Sequence, residues 1–354
     1  MKKVCLFGIY DPKQWRNRIL MEGLKHAGYE ITECRVNPRE TKGISKYIKL
    51  YKMYKNLDTK FDYIVVGFPG YLTVFVARFM TTSPIIFDAY ISYFDGLRDR
   101  CNYSLFHPMM WYAWTIDFLS GICSDIVLTI NYAYKDFFIK TLKISENKVE
   151  VLHKGADESI FYPRDYIKQK EKYTIGWWGS FIPLHGVSFI IEAANLLRDD
   201  QNIEFQIIGG GQLANDIKAQ IEKYDLKNVI MSPYIPQVDL VQEISKFDIV
   251  LGIFSPAPKA GRCVTNKVYE AMAMGKTIIT EDSMANREIF THKKNAYLVP
   301  AGDSTALVKA IKNIIEDESL RFNLELESKK LFKENFTSEK IENELFGIIK
   351  RHEK

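Results

Sequence analysis

A chain of 354 residues is longer than one ordinary α/β core and suits two domains of about 150 residues each. Its hydrophobic share of 47% and charged share of 26% exclude an intrinsically disordered or low-complexity protein. The five cysteines, Cys5, Cys34, Cys101, Cys123 and Cys263, form no C-x-x-C pair. That argues against a disulfide framework or a zinc cage and for a reducing, cytoplasmic setting.

In chain order, MKKVCLFGIYDPK has two lysines and an apolar run but meets Asp11 and Pro12 before any small-residue cleavage site, so it reads as a first strand. Short β-branched runs then alternate with helical periodicity. Strands are expected at 4–9, 30–35, 63–66, 84–87, 126–130 and 149–152, and helices at 15–27, 42–57, 71–80, 102–119 and 132–142. The apolar stretch 104–121 holds His107, Pro108 and Asp117, which suits a buried helix better than a bilayer span. Residues 163–172 are polar and form the expected linker. The alternation restarts with strands at 174–178, 204–208, 229–231, 249–252 and 277–280 and helices at 186–198, 213–224, 239–245 and 266–274. After Ser304 the chain is helical to its end. This pattern predicts two doubly wound, Rossmann-like α/β domains, with a ligand cleft at the carboxyl ends of their strands. The expected division is 1–162, the linker, 173–335, and a last helix over 336–354.

Net charge is only +4, yet residues 1–60 hold 14 Lys and Arg against 6 Asp and Glu. Lys46, Lys49, Lys52 and Lys55 recur at spacing three among Tyr47, Ile48, Tyr51 and Tyr54. On a helix over 42–57 this makes a basic stripe beside an aromatic one. Such a helix either rests peripherally on anionic lipid, at the inner face of a membrane, or is a solvated face packed by its tyrosines. No nucleic-acid recognition motif accompanies the charge, so no nucleic-acid partner is expected.

The segment SPAPKAGRCVTNKVYEAMAMGKTIITEDSMANRE, residues 255–288, carries the most chemistry. A Pro- and Gly-containing loop leads to Thr265 and Asn266, both good helix N-cap types. Exposed N–H groups at that helix start, with Lys259, Arg262 and Lys267 nearby, suit phosphate oxygens. Glu270, three residues past Lys267, either accepts the two hydroxyls of a ribose or simply satisfies the helix dipole. GWWGSFIPLHG (176–186) offers Gly179, Ser180 and His185, and IIGGGQ (207–212) offers Gly209 and Gly210. PYIPQ (233–237) offers Tyr234 and Ile235, as base contacts or as core. In the first half, FDAYISYFDGLRDR (87–100) sets Asp88, Asp95, Asp99 and Arg100 in an expected loop beyond a strand. There they form either a site or a structural set of ion pairs. Arg18, after IYDPKQWRN, meets a phosphate or acceptor, or covers the first helix.

YEAMAMGKTIITEDSMANRE resembles the donor-site motif of the family-four retaining glycosyltransferases (glycosyl transferases group 1): Glu, seven residues, then Glu-Ala-Met-Ala-x-Gly-x-Pro-Val. Glu270 matches the second Glu, whereas Arg262 stands at the first and Thr277 at the Pro. Lys259, Arg262, Asn266 and Lys267 match a subgroup pattern, Lys-x-x-Arg-x-x-x-Asn-Lys. GWWGSFIPLHG is similar to the family's Gly-Arg-x-x-x-x-Lys-Gly segment, with His185 at the Lys. IIGGGQ is similar to its Ile-Gly-x-Gly turn, and Asp88 lies nearest the place of its donor-sugar histidine. VEVLHKGADESIFYPRD resembles the start of its linker, and LFKENFTSEKIENELFGIIK its returning helix.

The resemblance implies a GT-B fold, two Rossmann-like domains facing across a cleft. It further implies a sugar moved with retention from a UDP-, GDP- or dTDP-type donor to a glycan or lipid-linked acceptor, without a metal or other cofactor. Asp88, Arg262, Lys267 and Glu270 are the implied catalytic set. The departures at Arg262 and His185 keep open a second possibility, a non-catalytic subunit of this fold that binds a sugar nucleotide or a partner enzyme. An incomplete glycine fingerprint at Gly8 and at Gly209 to Gly211 argues against a nicotinamide oxidoreductase.

Overall fold

The computed structural model describes residues 1–39, 43–101, 103–164 and 172–353. Its contacts divide the chain into one unit of Met1–Lys154 with Ser338–Lys354, and a second of Gly155–Thr337. The division after Lys154 falls ahead of the expected boundary at 162. Most of the expected linker, 165–171, lies outside the described residues.

The first unit runs β1 (Lys3–Ile9), α1 (Trp15–His26), β2 (Glu30–Val36), α2 (Ser45–Lys55), β3 (Tyr63–Val66), α3 (Thr73–Met80), β4 (Ile85–Tyr90), α4 (Tyr93–Cys101), α5 (Pro108–Cys123), β5 (Ile126–Thr129), α6 (Tyr132–Lys140) and β6 (Val149–Val151). Its six strands are parallel in the order β2-β1-β3-β4-β5-β6. Strands covered on both faces need continuous apolar runs, which is why KVCLFGI and YIVV are buried almost throughout.

The second unit runs β7 (Tyr173–Ser180), α7 (Val187–Leu196), β8 (Ile203–Gly210), α8 (Ala214–Lys223), β9 (Val229–Ser232), α9 (Gln237–Lys246), β10 (Ile249–Leu251), α10 (Asn266–Ala273), β11 (Thr277–Glu281), α11 (Met284–Ile289), β12 (Tyr297–Val299), α12 (Ser304–Glu316) and α13 (Glu318–Asn335). Its strands are also parallel, in the order β12-β11-β10-β7-β8-β9. The order reverses between β7 and β10, and in open α/β sheets ligands bind at the carboxyl ends of the strands at such a reversal. Trp177, Phe205, Ile207, Leu251 and Ile279 are buried in this unit's core with α7 and α12.

The last helix, α14 (Ser338–His352), belongs to the first unit and packs on α1. Gly23 permits that approach, since a Cβ there would lie 3.2 Å from the Glu342 side chain. Among the described residues no helix is long and apolar enough to cross a membrane.

Three expectations change. The charged cluster after β4 is not a loop but helix α4, whose start is capped from a distance by Asp117. The helix expected over 102–119 starts at Pro108, with His107 as its N-cap accepting from Met109 N–H at 3.2 Å. It is not buried all round: Trp111, Tyr112, Leu119 and Ile122 face water. β12 and α11, each a short element, are additions to the expected list of strands and helices.

Candidate functional site

The second unit's reversal point is built by two tryptophans and a lysine. Along β7, Trp177 and Trp178 point to opposite faces. Trp177 is fully buried and donates from Nε1 to the Gly252 carbonyl at 2.9 Å, tying β7 to the chain just after β10. At the ends of β7 and β8 the backbones come so close that a Cβ on Gly209 (φ +150°) would sit 1.9 Å from the Gly179 carbonyl oxygen. Only glycine fits there.

Lys267, in the first turn of α10, lies over this strand end. Its Nζ is 3.7 Å from the Trp177 ring centroid, and a Cβ on Gly179 would stand 3.4 Å from it. The side chain is buried, and Nζ has no hydrogen-bond partner among the described residues. Burial drives this ammonium well below the ordinary lysine range, and only Glu270 opposes the shift. Glu270, one turn on, accepts from Trp178 Nε1 at 2.8 Å. The N-cap Thr265 gives α10 no side-chain cap, and its buried hydroxyl has no partner among the described residues. A helix start without that cap and a desolvated cation beside it make an environment short of negative charge.

The remaining second-unit candidates take up positions around the same strand ends. The Tyr234 hydroxyl bonds the Gly210 carbonyl at 2.8 Å and lies 2.9 Å from Ser180 Oγ, while its ring is mostly exposed. Ile235 is half-buried. His185 places Nδ1 2.5 Å from the Ser180 carbonyl oxygen, so Nδ1 carries the proton and donates it there. Its ring meets Trp177 edge-on at 5.7 Å. Lys259 is buried, Arg262 half-buried in the short 3₁₀ turn Ala260–Arg262, and Asn266 exposed at the start of α10. Sequence reasoning missed Trp177 and Trp178 as the partners of Lys267 and Glu270. The tandem pair flanked by Gly176 and Gly179 was the available signal.

In the first unit, Asp88 is fully buried and held by the Arg16 guanidinium, with contacts of 2.8 and 2.9 Å. Arg16 also donates to the Leu152 and His153 carbonyls at 2.8 and 3.0 Å. Asp88 therefore serves as the counterion of a buried arginine, which corrects its placing as a group presented to a sugar. Tyr90, in a left-handed conformation (φ 59°), lies between two cations, with Arg16 and Lys154 each 5.6 Å from its ring centroid. Asp95 is buried and accepts from the Tyr134 hydroxyl at 3.0 Å. Asp99 is half-buried on α4 and Arg100 exposed. Arg18 pairs loosely with Glu22 on α1 at 3.9 Å. Arg16 and Lys154 had no local signal, because their partners lie far off in sequence.

A cavity of about 280 Å³ opens at this unit's own reversal point, between β1 and β3, where Ile9 and Pro69 line it. Among the described residues no group of three His, Cys, Asp or Glu is placed to hold a metal ion.

Residues 159–331 match the family described as glycosyl transferases group 1. The capsular polysaccharide biosynthesis glycosyltransferase CapM of Staphylococcus aureus is 23% identical over 64% of this chain, which spans 62% of CapM's own length, less than two thirds. The N,N'-diacetylbacillosaminyl-diphospho-undecaprenol alpha-1,3-N-acetylgalactosaminyltransferase of Campylobacter jejuni is 24% identical over 91% of this chain and 85% of its own. The Anabaena protein HepE, solved in complex with UDP, superposes with a TM-score of 0.71 at 14% identity, over 99% of this chain and 100% of its own. That family match spans just under half of the chain, and the chain's two Rossmann-like units are those of the GT-B fold.

Proposed function

We propose that the chain transfers a sugar from a nucleotide diphosphate sugar to a glycan or lipid-linked acceptor, with retention and without a metal. The observation that carries this reading is Lys267, a buried ammonium without a hydrogen-bond partner among the described residues, set beside Gly179 and the start of α10. A diphosphate supplies the acceptor oxygens that this site lacks. The acceptor hydroxyl attacks the anomeric carbon as the bond to the phosphate oxygen breaks. The diphosphate leaves with the electron pair and takes the hydroxyl proton on the same face. Lys267 and the N–H groups of α10 stabilise the charge that grows on it, with Lys259 and Arg262 as further cations. Glu270 holds the ribose hydroxyls while Trp178 fixes its carboxylate. HepE's complex with UDP supports a uridine donor, and the diphospho-undecaprenol substrate in the Campylobacter enzyme's name supports a lipid-linked acceptor.

The test is calorimetric titration with UDP, GDP and dTDP, followed by donor turnover and the anomeric configuration of the product with and without chelator. Lys267→Met keeps the melting temperature or raises it, because it removes a buried amino group that has no hydrogen-bond partner among the described residues, and weakens nucleotide affinity by about tenfold or more. Glu270→Ala folds but loses most turnover. Full turnover in a folded Glu270→Ala protein removes the donor-site assignment.

A further inference from the structure

Helix α5, PMMWYAWTIDFLSGIC, contains one acidic or basic side chain in 16 residues, Asp117. That carboxylate is buried and turned inward, accepting from the Ser92 hydroxyl and from the N–H groups of Tyr93 and Phe94 at 2.7, 3.1 and 2.9 Å. The outer stripe runs Tyr112, Thr115, Leu119 and Ile122 at steps of three and four residues, all exposed. Thr115 hides its hydroxyl against the Trp111 carbonyl at 2.8 Å. At the head of the helix, Phe106 is 87% and Trp111 63% exposed. Scattered exposed apolar residues are ordinary, but an aligned row along a whole helix marks an interaction surface.

The neighbouring helices say what it meets. α3 packs on α5 and α2 on α3. All three wall the same cavity, through Lys46 and Tyr47, Leu72 and Thr73, and Tyr112 and Ile116. α2 adds Lys46, Lys49, Lys52 and Lys55 and buries only Leu50, while Phe79 of α3 is 84% exposed. Neither α2 nor α3 has a carboxylate, and the one on α5 is buried. The face thus joins an uncharged aromatic and aliphatic stripe to a row of cations. That complements an anionic lipid surface, whereas a second copy would bring the same sign of charge.

We propose that α5 is the membrane-seated element of this protein, lying in the boundary between headgroups and acyl chains of an anionic leaflet, with the α2 lysines on the lipid phosphates. Seating the unit this way presents the cavity between α2, α3 and α5 to an acceptor carried in the leaflet. That purpose rests on the transferase reading, while the surface itself does not.

Flotation with vesicles of equal parts phosphatidylcholine and phosphatidylglycerol, and with phosphatidylcholine alone, tests it. The wild-type chain floats with the mixed vesicles. A Phe106→Ser, Trp111→Ser, Ile122→Ser variant, checked for an unchanged melting temperature, loses about tenfold or more in vesicle affinity. Lys46, Lys49, Lys52 and Lys55 all changed to Gln abolishes the preference for phosphatidylglycerol and leaves residual binding through α5. The proposal is overturned if wild type floats with neither composition, or if the apolar variant floats as wild type does. It is also overturned if light scattering finds a wild-type dimer that the apolar variant turns to monomer without loss of flotation. UDP affinity of the same preparations separates the two readings: UDP binding without flotation sinks this surface alone, and flotation without UDP binding sinks the transferase.

Discussion

Glu281 ends β11 with its side chain fully buried and neither carboxylate oxygen in a hydrogen bond among the described residues. Burial pushes its carboxyl from the ordinary 4.5 up to about 8, opposed only by the nearby Ser283 hydroxyl. The sign of the linkage follows. Below pH 4.5 both folded and unfolded chains hold the proton, and between 4.5 and about 8 only the folded chain does, so stability falls as pH rises through that window. Above it both are ionised and the slope ends. Glu281→Gln removes the charge that has to be buried or neutralised. Its unfolding free energy therefore exceeds that of wild type at mildly alkaline pH, by a margin on the order of a few kcal/mol, and the melting temperatures of the two converge toward pH 4.5. Equal pH dependence in the two proteins would show that the side chain turns out to water. The same reasoning makes Lys267 a residue held against the interest of stability, as expected of one kept for a ligand.

At the scale of elements, α4 and α5 depend on one carboxylate. Asp117, on α5, stands where the first N–H groups of α4 need acceptors, at Tyr93 and Phe94, and takes the Ser92 hydroxyl as well. Asp117→Ala leaves those buried donors without their partner and destabilises the chain by roughly 2–3 kcal/mol. In hydrogen exchange the amides of Tyr93 and Phe94 lose protection first, and uniform loss across the unit would argue against a local capping role. The start of α4 also has a local cap, Ser92, whose hydroxyl accepts from the Asp95 N–H at 3.0 Å, but YFDGLRDRC is short and mostly polar, so no helical period of apolar residues marks it in the sequence. By contrast, the apolar runs of β1 and β3 and the Asn266 start of α10 are local patterns, and the expected strands and helix coincide with them closely. The loop-to-helix sequence around Lys267 and Glu270 was legible for that reason. The role of Asp88 was not, because Arg16 lies 72 residues away and nothing near either residue announces a buried pair. β12 has three residues, too few for a period to register.

Over the whole molecule, the chain folds as two units with separate cores, and the second is continuous in sequence whereas the first is closed by α14. Ile341, Leu345, Ile348 and Ile349 of α14 are buried, and Glu344 takes the His153 N–H and ring at 2.8 and 2.7 Å. Losing four buried aliphatic side chains removes several kcal/mol, at roughly 1.5–3 kcal/mol each, from a domain whose total stability is of similar size. A fragment of residues 155–337 is therefore expected to fold cooperatively by itself, while residues 1–154 without α14 are not. Because Lys267, Glu270, Trp177 and Trp178 all lie in the second unit, the isolated 155–337 fragment also keeps the proposed nucleotide site. UDP then raises its melting temperature in a concentration-dependent way, as any ligand of the folded state does. Lys267→Met in the fragment suppresses that rise. A fragment that folds but does not respond to UDP would mean that the buried ammonium is not the diphosphate's partner. A fragment that fails to fold would mean that its core, though continuous in sequence, needs the first unit to close it.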